Sequence, residues 1–380
     1  MNAFTFRNGS IVTPKATWPD ASFSIVDNRI AKIVTGVGAG REAIDLEGGW
    51  LLPGFIDTQV NGGGGVLFND DVSVETIATI GAAHVRYGTT GFLPTLISDR
   101  LSTVAAALDA VDDAIAAGVP GVIGIHLEGP FLNPRRKGVH EEEHFVRLDS
   151  AAIDLLTRPR RGVVMVTLAP ELCSSGDISA LTKAGVRVSA GHTDATYDEM
   201  ISAIAAGLTG VTHLFNAMSP LHHRDLGVVG AALESDNLWC GLIVDGAHVH
   251  PGAVRIARRV VPADRLMLVT DAMPSVGAAQ KDFVLQGKAI RVDGGYPVGP
   301  DGQLAGSDLD MAQAVRNLVN WTSATVADAA TMASANPSAF LGLSHERGTL
   351  EVGRTADWVW LDADLRPRAT WISGRRIDHG

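Results

Sequence analysis

The sequence predicts an α/β fold: a (β/α)8 TIM-like barrel with a small β-sandwich domain built from both chain ends. Three observations point there. Short apolar runs recur roughly every 20 to 40 residues, mostly separated by helix-like stretches. Eight such runs can be counted, the number a closed barrel needs. The two ends read differently, with side chains alternating at period two. The competing architecture is an open doubly wound sheet, but no G-x-G-x-x-G phosphate turn follows the first run.

The elements follow in order. Phe4-Thr-Phe, Ser22-Phe-Ser-Ile-Val, Arg29-Ile-Ala-Lys-Ile-Val and Ala43-Ile-Asp-Leu read as short strands, with Asp27-Asn28 as a turn. Gly348-Thr-Leu, Ala356-Asp-Trp-Val-Trp-Leu and Ala369-Thr-Trp-Ile-Ser-Gly repeat that texture at the other end. Neither end alone could cover a sheet face, so residues 1–52 and 347–380 are expected to share one domain around a barrel of residues 53–346. The barrel runs begin at Gly54, Thr90, Val122, Val163, Val186, Gly210, Trp239 and Leu266. Val74 to Tyr87, Leu101 to Ala117 and Tyr197 to Ala206 have helical character.

Composition narrows the function classes. A chain of 380 residues, 46% of them hydrophobic, can bury a large core. A net charge of −11 argues against a broad nucleic-acid surface. Two cysteines, Cys173 and Cys240, make neither a disulfide framework nor a Cys-based zinc module. The N-terminal stretch MNAFTFRNGS lacks a signal-peptide pattern, and no uncharged apolar run approaches the roughly 18 residues of a membrane helix. A cytoplasmic protein without membrane association is expected.

Barrel active sites sit at the C-terminal ends of the strands. Those ends carry Asp57, Gln59 and Asn61, then Glu128, His192, His213, Asp245, His248 and Asp271. Glu128, His192 and His213 form a credible metal set, since one carboxylate and two imidazoles leave a fourth position open. His126 shares a strand face with Glu128 and reads as a packing residue or a hydrogen-bond donor behind the ligands rather than a ligand. Asp271 suits a general acid/base, with a helix N-cap as the bland alternative. Arg135, Arg136 and Lys137 read most simply as a solvated basic turn, and otherwise as an attractor for an anionic substrate. Arg224 by itself reads as a surface residue.

Eight segments together carry a resemblance. They are Pro53-Gly-Phe-Ile-Asp57, His126-Leu-Glu-Gly-Pro-Phe-Leu-Asn133, Lys137-Gly-Val-His140, Gly191-His-Thr193, Thr212-His-Leu-Phe-Asn-Ala-Met218, Asp245-Gly-Ala-His248, Val269-Thr-Asp271 and Leu304-Ala-Gly-Ser307. Across nearly the whole chain the sequence resembles the N-acetylglucosamine-6-phosphate deacetylases of the amidohydrolase superfamily. The first segment is evidence only at superfamily level; the second and fifth are far more specific.

The resemblance implies Glu128, His192 and His213 as metal ligands, Asp271 as general acid/base and His140 as the group that polarises the amide carbonyl. It implies sugar-phosphate contacts at Asn216, Ala217, Arg224 and His248, with Arg224 reaching in from the partner of a homodimer. Val139, Asp245, Leu304, Ala305 and Gly306 fall in matching substrate-facing segments. The family divides at the first strand into His-x-His members with two metals and Gln-x-Asn members with one. Gln59 and Asn61 match the second pattern, and carboxamides are poor zinc ligands beside imidazole. One divalent metal per subunit is therefore expected, zinc before ferrous iron.

The expected reaction is hydrolysis of N-acetyl-D-glucosamine 6-phosphate to D-glucosamine 6-phosphate and acetate. An amidohydrolase acting on an unphosphorylated N-acyl amino sugar or a cyclic amide would keep the metal set without needing Arg224. A non-catalytic scaffold is motivated only by Gln59 and Asn61. Rates on phosphorylated and free sugar separate the first pair, and metal content tests the scaffold.

Overall fold

The computed structural model describes residues 2–36 and 43–378. Residues 1, 37–42 and 379–380 of the expected terminal domain lie outside the described residues.

Eight parallel strands form one sheet whose neighbours follow chain order: Phe55–Val60, Thr89–Ile97, Gly124–Glu128, Val163–Leu168, Arg187–Ala190, Gly210–Val211, Trp239–Leu242 and Leu266–Leu268. All eight match runs anticipated from the sequence. The first, second and third are buried along their whole length, which is why they read as continuous apolar stretches instead of alternating ones. The seam between strand eight and strand one is closed by backbone bonds just beyond the ladder. Asp271 N–H donates to the Gln59 carbonyl at 3.0 Å and Asn61 N–H to that of Ala272 at 2.9 Å. Barrel closure thus brings Asp271 beside the first-strand residues.

The expected helices form with clear start signals. Ser73 accepts from Thr76 N–H to open Val74–His84, which runs into a 3-10 turn at Val85–Tyr87 and stops at Gly88, φ 88°. Gly88 needs no Cβ at that left-handed position. Thr196 and Glu199 form a reciprocal cap on Tyr197–Ala205. Leu101–Ala116 packs Val104, Ala107, Leu108, Val111 and Ala114 inward at helical spacing.

The chain ends supply two further sheets. One orders Arg29–Thr35, Ala21–Val26, Asn2–Arg7 and Ala43–Asp45. The other orders Arg375–Asp378, Pro367–Ile372, Trp358–Leu361, Trp50–Pro53, Ser10–Val12 and Thr17–Trp18, so both ends of the chain share it. Phe6, Phe23, Trp358 and Trp371 are fully buried between them. Ring centroids lie 5.4 Å apart for Phe23 and Trp358 and 5.7 Å for Phe6 and Trp371, within stacking and edge-to-face range.

One feature was not anticipated. After strand eight the chain forms a three-stranded antiparallel sheet, Phe283–Leu285, Lys288–Asp293 and Tyr296–Val298. Leu285 and Ile290 pack in one cluster with Ile97 and Met273, with Val139 against it.

Candidate active site

Glu128 is the last residue of strand three, while His192 and His213 each follow strands five and six by two positions. The two histidines and Asp271 adopt left-handed backbone, with φ 48°, 34° and 53°. That conformation costs a non-glycine residue about 1–2 kcal/mol, and such strain concentrates at functional positions. Tight turns here swing each side chain over the barrel mouth.

The three side chains meet. His192 Nε2 lies 3.2 Å and His213 Nε2 2.9 Å from Glu128 Oε1, and the two nitrogens are 3.1 Å apart. His192 Nδ1 lies 2.8 Å from the Arg136 carbonyl, an acceptor only, so Nδ1 carries the proton. In the neutral ring Nε2 then presents a lone pair toward a carboxylate oxygen. Two electron-rich atoms that close are unfavourable unless a cation lies between them. The donor set therefore fits a divalent metal. Were both rings protonated instead, burial would push the Glu128 carboxyl up, but hydrogen bonds from His192 and His213 would outweigh that and hold it well below the usual range. In that same cation-free state burial would pull His213 down, and its hydrogen bond to Glu128 would reverse the effect, leaving it raised.

His140 also stands close, with a ligand-type atom within 4.8 Å of those of Glu128 and His192. Its tautomer argues against a ligand role. Ser98 N–H donates to His140 Nδ1 at 3.2 Å, and Ser98 Oγ is 2.9 Å from the same atom. Nδ1 is thus an acceptor, so the neutral ring carries its proton on Nε2 and can only donate there. Burial, then the neighbouring His192, lowers His140 to about 3, which keeps it neutral.

Gln59 and Asn61 act as donors. Gln59 Nε2 donates to Glu128 Oε1 and to Asp271 Oδ1, both at 3.1 Å, and Asn61 Nδ2 donates to the same Asp271 oxygen at 2.6 Å. Two amides therefore pin Asp271 Oδ1. Burial, then the charge of Glu128, raises Asp271 to about 6. Asp57 does not reach the cavity; it is fully buried, accepts from Thr270 Oγ1 at 2.5 Å, and burial raises it to about 7.

A cavity of about 340 Å³ opens here, within the range of small-molecule sites. It is lined by Asn61, Glu128, Val139, His140, His192, His213, Asn216, Ala217, His248, Asp271, Leu304 and Gly306 among the expected residues. The model of the amidohydrolase family matches residues 50–377. The chain belongs to the amidohydrolase family.

Related proteins agree with that assignment. Over 333 residues the chain is 44% identical to an N-acetylgalactosamine-6-phosphate deacetylase of Shewanella sp. (strain ANA-3), covering 87% of this chain and 84% of that protein. It is 40% identical over 354 residues to the N-acetylglucosamine-6-phosphate deacetylase of Bos taurus, covering 88% and 85%. The crystal structure of N-acetylglucosamine-6-phosphate deacetylase from Pasteurella multocida superimposes with a TM-score of 0.95 at 33% identity, covering 99% of this chain and all of that one.

In this amidohydrolase four further expected residues, besides Asp57, stand outside the cavity wall. Asp245 lies behind it, accepting from His248 N–H at 2.8 Å and from His248 Nδ1 at 2.6 Å, which leaves His248 Nε2 for the cavity. Ala305 is fully buried against the added sheet, and Gln59 sits beneath the carboxylates. Arg224 is exposed on its loop and makes no ion pair among the described residues. His222 and His223 are exposed beside it, their rings 4.1 Å apart.

Arg135, Arg136 and Lys137 form the solvated basic turn expected, with Arg135 exposed and Arg136 half-buried at the rim of the cavity. Both arginines line the cavity and both pair with Asp194, at 2.7 and 2.8 Å. His192 fixes their loop, since its carbonyl accepts from Asn133 N–H while its ring donates to Arg136. Sequence reasoning also passed over Ile97, Gly138 and Met273 in the wall. Met273 could have been found, because it lies two residues past Asp271 at the same barrel mouth. His126 stays below the site, between Thr95 Oγ1 at 3.2 Å and Thr167 Oγ1 at 2.7 Å, and burial lowers it to about 4.

Proposed function

We propose that the chain hydrolyses the acetamide of N-acetyl-D-glucosamine 6-phosphate to D-glucosamine 6-phosphate and acetate. The observation that carries this reading is the convergence of Glu128, His192 and His213 with Asp271 and the donor His140 in one cavity. The deacetylase relatives supply the substrate class.

Glu128, His192 and His213 would hold one divalent ion, with zinc the first choice for this donor set and ferrous iron the second. When bound, such an ion supplies Lewis acidity toward a carbonyl and acidifies water. Gln59 and Asn61 spend their N–H groups on Glu128 and Asp271, which supports a single metal.

The remaining chemistry belongs to side chains. Asp271 Oδ2 takes the proton from the attacking water as the new C–O bond forms. His140 Nε2–H donates to the acetamide oxygen as negative charge develops there. The C–N bond then breaks and Asp271 returns the proton to the leaving amine. His248 Nε2, Asn216 and Ala217 hold the sugar phosphate, and anchoring it aligns the distant amide. Arg224, with no ion pair among the described residues and away from the cavity, serves this site from a second copy in a homodimer.

The free thiols Cys173 and Cys240 suit a reducing cytoplasm. No helix among the described residues is long and apolar enough to cross a membrane. Residues 1–52 and 347–380 act as the small β domain on a catalytic barrel of residues 53–346.

A second reading, N-acetyl-D-galactosamine 6-phosphate as substrate, is favoured by the 44% identity to the Shewanella protein. Comparing kcat/KM on the two sugar phosphates and on free N-acetylglucosamine tests both. The proposal expects the gluco phosphate to be preferred over its C4 epimer and over the free sugar. Preference for the galacto phosphate would establish the second reading instead.

A further inference from the structure

The added sheet after strand eight places a carboxamide beside His140. Its first turn is Leu285-Gln286-Gly287-Lys288, with Leu285 paired to Lys288. Gln286 and Gly287 both take left-handed backbone, φ 47° and 79°. A two-residue hairpin turn of this kind favours Asn, Asp or Gly at its first position. Glutamine has no such preference, so the sequence accepts a poor turn residue here. Outliers of this sort persist where the surroundings use them.

The side chain supplies the use. Gln286 Oε1 accepts from Glu141 N–H at 3.1 Å, and Gln286 Nε2 donates to the Ser98 carbonyl at 3.1 Å. Glu141 directly follows His140. Ser98 is the residue whose N–H and hydroxyl meet His140 Nδ1. One carboxamide therefore grips the chain after His140 and the residue, Ser98, that fixes the His140 tautomer. Lys288 Nζ adds a 2.7 Å ion pair to the Glu141 carboxylate. Leu285 and Ile290 dock the turn on Ile97 and Met273 of the cavity wall. Asparagine would satisfy the turn better, but it is one methylene too short to span the same two partners.

We propose that Gln286 is a positioning residue: it holds Ser98 and Glu141 so that the His140 ring presents Nε2–H to the cavity. The importance of that donor rests on the deacetylase reading above. Gln286 touches no reacting atom and acts through His140 alone.

The test uses full-length, metal-loaded protein with Gln286→Asn and Gln286→Gly, each suited to the left-handed turn. Steady-state rates on N-acetyl-D-glucosamine 6-phosphate, Tm, and 15N-detected imidazole spectra of His140 are measured together. A misplaced donor should lower kcat by about 10- to 100-fold with KM changed by less than about threefold. Tm should hold or rise, and the His140 spectrum should lose its single Nε2–H form. Unchanged kcat with an unchanged spectrum would overturn the proposal. So would a loss of kcat that merely follows a falling Tm. Should the wild type itself fail to deacetylate this sugar, the functional reading fails, and the His140 spectra alone decide the role of Gln286.

Discussion

Replacing Asn61 with alanine should shift the acid limb of catalysis upward. Asn61 Nδ2 donates to Asp271 Oδ1 at 2.6 Å, shorter than the 3.1 Å bond from Gln59 to the same atom. Burial and then Glu128 already raise Asp271 to about 6, and the Asn61 bond is among the influences that lower it. Hydrogen bonds to a charged group contribute about 1.5–3 kcal/mol. At about 1.4 kcal/mol per pH unit, losing this one raises Asp271 by about 1–2 units. The sign follows from the role. Only the carboxylate accepts a proton, so a raised value removes active enzyme from the acid side.

A bound cation lowers the absolute position in wild type and variant alike, so the readout is the difference between them. The assay is kcat/KM against pH for both proteins with metal saturating. The acid limb of Asn61→Ala should move up by about 1–2 units, with the rate largely recovered above it. A limb that stays in place would refute this reasoning. A drop by the same factor at every pH would instead mean a damaged site, and would equally refute it.

Further outcomes follow from the same geometry. Asp271→Asn should retain metal yet lose on the order of 10³-fold in kcat or more, because it removes the proton carrier; metal content and steady-state rates check it. Asp245→Asn weakens the 2.6 Å contact that orients His248, so KM for the phosphorylated sugar should rise more than kcat falls, measured beside free N-acetylglucosamine as control. Trp371→Ala empties a fully buried site between the terminal sheets, and denaturant unfolding should show about 3–5 kcal/mol lost.

Much of the fold was legible because parallel strands covered on both faces leave continuous apolar runs. Among the terminal strands, Ala21–Val26 was legible because its side chains alternate between buried and more exposed. The Gln59 and Asn61 roles were less so: the sequence marks them as weak ligands, but only barrel closure shows that their amides pin Glu128 and Asp271. The anchoring of Arg135 and Arg136 at the cavity rim depends on Asp194, almost 60 residues on by chain order, and no local pattern encodes it. Asp245 looked like a substrate contact because its segment matched a site motif, yet its carboxylate is spent on His248. The sheet at 283–298 went unread because its strands are short and partly exposed. Gln286 carries no motif at all; its function depends on partners 145 and 188 positions away.

The central claim is a single-metal deacetylase site on Glu128, His192 and His213. Metal content per subunit, measured on the same preparation as deacetylation of N-acetyl-D-glucosamine 6-phosphate, tests it most directly. The account predicts close to one divalent ion per subunit, with activity lost on chelation and restored in proportion to metal returned. Two tightly held ions per subunit, or full turnover with none, would contradict it.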